Sequence, residues 1–226
     1  MKENQVEEIL EFMKSLPRPD NYGSQEIKKS KTIPLSSIKL EKDEWLCVDN
    51  IACVFVDLED STGLAIASSQ TNLRLFAWYG DSLIRIFKEF EAKYQDFQGD
   101  GGFAIFDFDG GKGLANAFIV ALIINRFFNH KYGKRFGRHR VRIGIDIGKV
   151  WVKKVGIRGE NKEVWLGHPV SVASKLCKYD EVENIRISED FYKKMSPSAR
   201  KLFQPLKNFY CLRIESLVWV FAKLCL

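Results

Sequence analysis

Histidine and cysteine, the residues that bind zinc, are scarce in this chain. Its 226 residues include three histidines and five cysteines. None of the cysteines has the C-x-x-C spacing of zinc sites, and an odd number without paired spacing is atypical of a disulfide scaffold. The sequence therefore argues against a zinc site and predicts reduced cysteines, as in a cytoplasmic protein.

Long apolar runs are also missing. The longest one, residues 117–128, is interrupted by Asn125 and Arg126 and is shorter than a membrane span requires. The chain starts with MKENQVEEILEF, which carries charges from the beginning, unlike a secretory signal peptide. We expect neither a membrane contact nor a cleaved leader.

The composition is that of an ordinary globular protein. Hydrophobic residues make up 46% and charged residues 28% of the chain, enough for a sizeable core. The net charge is +6, which suits an anionic small molecule, a nucleic acid or a solvated surface.

The N-terminal segment differs from the rest of the chain. A stripe of apolar residues at helical spacing predicts a helix over residues 4–16, which Pro17 ends: Val6, Ile9, Leu10, Met13 and Leu16. Residues 17–44 are polar and predict a linker. We therefore divide the chain into residues 1–45, an N-terminal helix and linker, and residues 46–226, the main domain. The helix could pack on its own domain or on a second copy.

The main domain is predicted to be α+β, because short β-branched runs alternate with helical patterns. The predicted strands cover residues 51–56, a hairpin at 97–106, residues 141–147 and 150–157 with a turn at Gly148, residues 163–166 and 185–187, and two closing strands around Phe209 and residues 217–221. The predicted helices run from about residue 61 to Tyr79, and over residues 81–94, 114–128 and 170–178, with a further helix from Ser188.

Two aspartates stand where strands end. Asp57 closes the buried strand before a helix, and Asp100 lies in the turn Gly99-Asp100-Gly101-Gly102. Magnesium and manganese in nucleotide enzymes are held by one or two carboxylates together with substrate phosphates, and a helix N-terminus favours phosphate. The alternative is that Asp57 is a helix-entry residue and Asp100 a turn residue. The two interpretations carry equal weight at this point.

Four stretches, in order, resemble the class III nucleotidyl cyclase catalytic domain: VFVDLEDST (54–62), FQGDGGFAIF (97–106), RIGIDIGKV (142–150) and WLGHPVSVASKL (165–176). The resemblance implies a ferredoxin-like α+β domain that works as a head-to-tail homodimer. It implies two Mn²⁺ or Mg²⁺ ions per active site, held by Asp57, Asp100 and the carbonyl of Leu58. The implied reaction is attack of the ribose 3′-hydroxyl on the α-phosphate of a nucleoside triphosphate.

The same resemblance implies roles for further residues. Asp60, Ser61 and Thr62 would bind the triphosphate, and the partner subunit would supply the base pocket and the transition-state groups. Ser171 stands where the family has asparagine, and Lys175 where it has arginine. Both are candidate catalytic residues, although the alternative for Lys175 is an exposed helix residue. Arg142 is an alternative cation for the phosphates.

Two positions choose the base in this family. Adenylate cyclases have lysine and aspartate there, and guanylate cyclases have glutamate and a small residue such as cysteine, whereas this chain has Asp96 and Val164. A carboxylate only accepts hydrogen bonds, which favours the cytosine amino group or uracil N3–H, leaves guanine open and disfavours adenine.

This combination resembles the pyrimidine cyclases of bacterial Pycsar antiphage systems. The resemblance implies that UTP or CTP is converted to cyclic UMP or cyclic CMP, with UTP favoured, and that a separate effector senses the product. The alternatives are a purine cyclase and a catalytically weak nucleotide sensor with the same fold. A nucleic-acid-binding arm at residues 131–142 is less favoured, because its basic run has few aromatic residues.

Overall fold

The computed structural model describes residues 3–19, 24–33, 40, 43–59, 61–66, 69–131, 140–156, 162–179 and 184–213. The helices are α1 (Glu3–Ser15), α2 (Ser61–Ile66), α3 (Gln70–Glu89), α4 (Lys112–Ile124), α5 (His168–Cys177), α6 (Glu189–Lys194) and α7 (Pro197–Arg200). The strands are β1 (Glu26–Ser30), β2 (Glu44–Leu58), β3 (Tyr94–Gln98), β4 (Gly101–Phe106), β5 (Val141–Val155), β6 (Lys162–Leu166), β7 (Ile185–Ser188), β8 (Phe203–Leu206) and β9 (Phe209–Leu212).

The strands of the described segments form one mixed sheet in the order β3-β4-β2-β5-β7-β9-β8. The central pairs β2–β4 and β2–β5 are antiparallel, whereas β5 and β7 are parallel. Strand β1 lies along β2, and β6 lies along β5. This architecture confirms the predicted α+β class.

The two faces of the sheet have different coverings. Because side chains alternate along a strand, Val54, Val56 and Leu58 of β2 point into the main core, which also contains residues of α3 and α4. Cys53, Phe55 and Asp57 point to the opposite face, over which α5 packs. The predicted metal aspartate therefore lies on the α5 face.

Helix α5 approaches the sheet very closely at Gly144 of β5. A Cβ atom at this position would lie 2.1 Å from the carbonyl oxygen of Ala173. Only glycine fits such a contact between a helix and a strand. The close approach fixes the depth of α5 on the sheet.

Helix α4 belongs to the core. The helical stretch 109–130 is long and apolar enough to cross a membrane by length and composition, but half of its apolar window is buried inside the domain. Ala117, Val120 and Ala121 are completely buried. We conclude that this stretch is a core helix.

Four details of the predicted secondary structure were wrong or incomplete. The sequence predicted a break between two helices near Gly80, but Gly80 lies inside α3 against the ring of Phe97. The break falls before Ser69, whose hydroxyl caps α3. Gly148 does not turn the chain, because β5 runs through it opposite Ile51, next to a register shift in β2. The predicted linker contains β1, and β2 starts at Glu44, well before residue 51. The predicted strand at residues 217–221 and most of the basic stretch 131–142 lie outside the described residues.

Candidate active site

The two predicted metal aspartates lie side by side at one end of the β2–β4 pair. Asp57 is opposite Gly101 in the antiparallel register, and the backbone N–H of Leu58 donates to the carbonyl oxygen of Asp100 at 3.2 Å. A Cβ at Gly101 would lie 3.1 Å from the Val56 carbonyl and 3.5 Å from Asp57 Oδ1. A glycine there leaves room for the Asp57 carboxylate beside the hairpin turn.

Arg142 is the direct partner of Asp57. The two residues are opposite each other across β2 and β5, and Nη2 of Arg142 lies 3.0 Å from Oδ2 of Asp57. Burial raises the pKa of Asp57 above its usual value, the hydrogen bond from Arg142 partly offsets this, and the charge of Asp100 adds to the increase. A second cation near Asp57 would favour its ionised form. Arg142, predicted to bind substrate, therefore lies beside Asp57 at the end of β2 and β4 where Asp100 also lies, which we call the candidate metal-binding edge.

Asp100 is held from the other side by Ser61. The Ser61 hydroxyl, at the first residue of α2, donates to Oδ2 of Asp100. Thr62 is exposed on the same short helix, α2. Asp60, the third predicted phosphate-binding residue, lies outside the described residues.

The oxygen donors at this edge suit a hard divalent cation. Two carboxylates and a main-chain carbonyl at Leu58 are ligands that Mg²⁺ and Mn²⁺ accept. In the described part of the chain, no group of three or more histidine, cysteine, aspartate or glutamate side chains could hold an ion. The remaining ligands would have to come from substrate phosphates and water, as is usual for Mg²⁺ in nucleotide enzymes.

Ser171 and Lys175 lie one turn apart on the exposed side of α5. Both are exposed, whereas Ala173, Leu176 and Cys177 form the buried side of the helix. The α5 end closest to the carboxylates carries Lys178, whose charge acts on the pKa of Asp57. In this chain, therefore, the structure does not place Ser171 and Lys175 at the Asp57–Asp100 pair.

Helix α5 is held at its N-terminal end by a buried carboxylate that sequence reasoning missed. Asp146 of β5 is 0% exposed, and its Oδ2 lies 2.9 Å from Nδ1 of His168, the first residue of α5. The Ser188 hydroxyl donates to its other oxygen. A buried aspartate in a strand needs such hydrogen-bond donors. The sequence signal for this residue was a single carboxylate within the apolar run RIGIDIG.

The two predicted base-selecting residues do not share a sheet face. Asp96 of β3 accepts from the Phe97 N–H at 2.9 Å and from Nε2 of Gln98 at 3.1 Å. Val164 of β6 is half-buried, and its neighbour Trp165 points to the other side of the strand. The Trp165 ring packs 4.7 Å from that of Tyr94, which lies on the Asp96 side of β3.

Trp165, Tyr94 and Gln98 are therefore closer candidates than Val164 for a pocket around Asp96. Burial, the charge of Asp96 and the charge of Glu163 raise the pKa of Tyr94 to about 12. Tyr94 consequently stays a neutral hydroxyl at physiological pH. The sequence offered no signal for Gln98 beyond its distance of two residues from Asp96.

Comparison with known proteins identifies the family of this chain. Residues 46–208 match the family model of the adenylate and guanylate cyclase catalytic domain. Two curated relatives are named uridylate cyclase. The one from Propioniciclava tarda is 27% identical over 179 residues, which are 74% of this chain and 56% of the relative. The one from Micromonospora echinofusca is 30% identical over 164 residues, which are 67% of this chain and 52% of the relative. This chain thus spans about half the length of the curated relatives it matches.

Solved structures share the fold at low sequence identity. The adenylyl cyclase CyaB from P. aeruginosa superimposes with a TM-score of 0.63 at 17% identity, over 77% of this chain and 96% of that one. Because the family match covers most of the chain and the aspartates of two of its motifs meet at one sheet edge, the chain belongs to the class III adenylate and guanylate cyclase catalytic domain family.

Proposed function

We propose that this protein is a pyrimidine nucleotide cyclase that converts UTP, or alternatively CTP, to the 3′,5′-cyclic monophosphate and pyrophosphate. The observation that carries the proposal is the Asp57–Asp100 pair at the end of β2 and β4, joined through the Leu58 backbone. The uridylate preference is supported by the names of the two curated relatives.

The metal-binding edge would hold two Mn²⁺ or Mg²⁺ ions through Asp57, Asp100 and the Leu58 carbonyl. Bound ions of this kind lower the pKa of a hydroxyl and stabilise charge on phosphate oxygens. Within the chain, Ser61 fixes the Asp100 carboxylate and Arg142 fixes that of Asp57. Preorganised ligands of this type need little rearrangement when the triphosphate arrives.

The reaction forms one bond and breaks one. The ribose O3′ bonds to the α-phosphorus, and the bond between that phosphorus and the bridging oxygen of pyrophosphate breaks. The 3′-hydroxyl proton leaves to water or a phosphate oxygen. Arg142 lies beside Asp57. Its guanidinium would therefore add a positive charge near the phosphates, besides the charges of the metal ions. Asp60, Ser61 and Thr62 remain proposed triphosphate contacts.

Ser171 and Lys175 would act on the nucleotide of a second copy. Their side chains leave the exposed side of α5, which is where residues serving a neighbouring subunit have to be. We assign the Lys175 ammonium to charge on the α-phosphate and the leaving group, and the Ser171 hydroxyl to a ribose hydrogen bond. A head-to-tail homodimer would then contain two equivalent active sites.

Asp96 and Gln98 would read the base. Asp96 offers an acceptor next to the Gln98 amide donor, and N3–H with O4 of uracil is a matching donor and acceptor. Such a pair can also match cytosine, guanine or adenine in other orientations. The residues therefore support base recognition at this position, and Val164 contributes only a half-buried apolar wall.

A role in antiphage defence is a further part of the proposal. It is supported only by the resemblance to the Pycsar cyclases, whose cyclic pyrimidine nucleotides act on a separate effector. In that setting the enzyme would be cytoplasmic, with no nucleic acid or membrane partner.

The direct test is incubation of the purified protein with Mn²⁺ or Mg²⁺ and each of ATP, GTP, CTP and UTP, with detection of cyclic products by mass spectrometry. We expect cyclic UMP as the main product, with a smaller amount of cyclic CMP. Asp96→Asn should change the ratio of products while leaving the metal requirement intact. Cyclic AMP or cyclic GMP as the main product would reject the pyrimidine assignment. Nucleotide binding without any product would favour the second candidate function, a nucleotide sensor. The observation that favours this candidate is that Ser171 and Lys175 stand where the family has asparagine and arginine.

A further inference from the structure

The first residue of β5 extends past the end of a neighbouring strand. Strand β5 begins at Val141, whereas its parallel partner β7 begins at Ile185, which is opposite Ile143. On the β2 side, the N–H of Glu59 donates to the carbonyl oxygen of Arg140, and the main-chain groups of successive residues point to alternate sides of a strand. The N–H and the carbonyl of Val141 therefore face the β7 side, beyond the start of β7, and need other partners there.

The side chain of Asn129 supplies both of these partners. Its Oδ1 accepts from the Val141 N–H at 2.8 Å, and its Nδ2 donates to the Val141 carbonyl oxygen at 2.8 Å. A residue opposite Val141 in an antiparallel strand would make the same two hydrogen bonds. A side-chain amide can do so because it carries a donor and an acceptor together. Asn129 therefore continues the hydrogen bonding of the sheet by one residue where β7 stops.

Asn129 is itself held in a cluster of three asparagines. Its Nδ2 lies 2.7 Å from Oδ1 of Asn125, which is 1% exposed. Nδ2 of Asn184 donates to the same oxygen at 3.3 Å, and the carbonyl oxygen of Asn184 accepts from the Ile143 N–H at 2.7 Å. Asn125 and Asn129 belong to a π-helical turn that follows α4, Asn125–Lys131. Such turns are rare and frequently lie at functional sites.

The cluster holds the two residues that flank Arg142 of the candidate site. Val141 is bound by the Asn129 amide, and Ile143 by the Asn184 carbonyl. Arg142 is the second residue of β5, and the ends of strands open more readily than their centres. Its Nη2 lies 3.0 Å from Oδ2 of Asp57. An opened strand end would therefore carry the guanidinium away from the Asp57 carboxylate.

We propose that Asn129 is a positioning residue, which keeps the start of β5 closed so that the Arg142 guanidinium stays beside Asp57. The proposal rests on the proposed function, in which Arg142 adds a positive charge near the phosphates. Asn129 contacts the main chain of Val141 and would act on the reaction through Arg142. Its contribution should therefore disappear when the Arg142 side chain is removed.

A matched pair of variants gives the first measurement. Asn129→Ala removes the amide at Val141, and Asn116→Ala removes another half-buried amide, which donates from α4 to the Phe90 carbonyl oxygen at 3.0 Å. Both variants should lose some thermal stability, because each loses a hydrogen bond to a main-chain group. At a temperature where both are folded, only Asn129→Ala should lower the turnover number, by about tenfold. An equal turnover number for the two variants would overturn the proposal.

A double-mutant cycle separates positioning from a general effect on the fold. Adding Asn129→Ala to Arg142→Ala should change the turnover number less than about twofold, since two residues that act through one contact are not additive. The melting temperature should still fall in the double variant. A further loss of about tenfold in the Arg142→Ala background would show that Asn129 only stabilises the fold, and would reject the positioning role.

The side-chain N–H signals of Arg142 in the NMR spectrum of isotope-labelled protein test the link without any enzyme assay. They are identified by their absence from Arg142→Ala. We expect Asn129→Ala to shift or broaden these signals and Asn116→Ala to leave them unchanged. Unchanged signals in Asn129→Ala would overturn the proposal even in an active cyclase. Altered signals in a protein that makes no cyclic nucleotide would support the link from Asn129 to Arg142 and reject only the proposed function.

Discussion

The metal-binding edge and helix α5 hold their proposed catalytic side chains in opposite ways. At the edge, Asp57 and Asp100 each have a partner from the same chain, Arg142 and Ser61. On α5, the body of the helix is fixed while Ser171 and Lys175 face outward. One region has its side chains paired within a single chain, and the other has them on the exposed side of a helix.

Helix α5 is fixed on the sheet although Ser171 and Lys175 on it are exposed. Asp146 holds the start of α5 through His168, and the close approach at Gly144 fixes its depth on the sheet. The part of the α5 backbone that carries Ser171 and Lys175 is therefore fixed on the sheet. In the proposed head-to-tail dimer, a second copy would bring its own Asp57–Asp100 pair against this side of α5.

The largest effect should come from the metal-binding edge. Asp57→Asn or Asp100→Asn keeps the hydrogen-bonding shape but removes one ligand charge, so the rate of cyclisation should fall on the order of a thousandfold, because several kcal/mol of transition-state stabilisation is lost. The measurement is product formation at saturating Mn²⁺. Asp49→Asn is the matched control, since Asp49 lies on the same strand in an exposed pair with Lys149 at 3.2 Å. An active Asp100→Asn protein would contradict the metal assignment.

Mixing two inactive variants tests the comparison itself. Lys175→Ala should lower the rate on the order of a hundredfold, as expected for loss of one group that stabilises transition-state charge. If the edge and α5 serve each other across a dimer, co-refolding Asp57→Asn with Lys175→Ala should restore about a quarter of normal activity. Half the dimers are then mixed, and each has one intact site of two. No recovery, in a sample shown to contain mixed dimers, would mean that both residues serve the same chain.

Sequence reasoning succeeded where the relevant distances are short along the chain. The hairpin that carries Asp100 and the strand that ends at Asp57 were both predicted, and the structure aligns them. The partner of Asp57 was missed, because the opposition of Arg142 depends on the register between β2 and β5, 85 residues apart. No local pattern encodes that register.

Two further misses have similar physical causes. Strand β1 reads EIKKS and has mostly exposed side chains, so it lacks the apolar alternation that marks a strand. Gly148 was predicted to turn the chain because glycine weakens strands. In the structure it sits opposite the irregularity in β2, with Pro169 of α5 packed 3.3 Å from where its Cβ would be. Contacts with distant parts of the chain therefore explain both strand β1 and the extended backbone at Gly148.

The link between Asp146 and His168 should be measurable as a positioning effect. His168→Ala leaves α5 free to shift at its first turn, and we expect the turnover number to fall about tenfold with little change in KM, as small displacements of catalytic groups affect the rate. His168→Asn should restore most of the rate, because its amide nitrogen can take the place of Nδ1. His168→Gln should not, since its amide lies nearer the Nε2 position.

These three variants separate positioning from stability. The side chain of His168 is 68% exposed, but it is one of two side-chain donors to the buried carboxylate of Asp146. His168→Ala should therefore lower the melting temperature, and the assay temperature has to lie well below it. A rate loss that tracks melting temperature across the variants would reduce His168 to a structural residue. Equal rates for asparagine and glutamine would also contradict the proposed Nδ1 contact.

The smallest expected effect concerns Ser171, on the outward side of α5. Removing one neutral hydrogen bond to ribose should cost about 1 kcal/mol, so Ser171→Ala should lower the rate about fivefold. Ser171→Asn restores the residue that the cyclase family resemblance implies here, and its amide can donate and accept at once. We expect this variant to equal or exceed the parent rate. Ser198→Asn, on the separate helix α7, is the control. If Ser171→Ala were as active as the parent, the outward side of α5 would contribute through Lys175 alone, and the contrast with the metal-binding edge would rest on that single side chain.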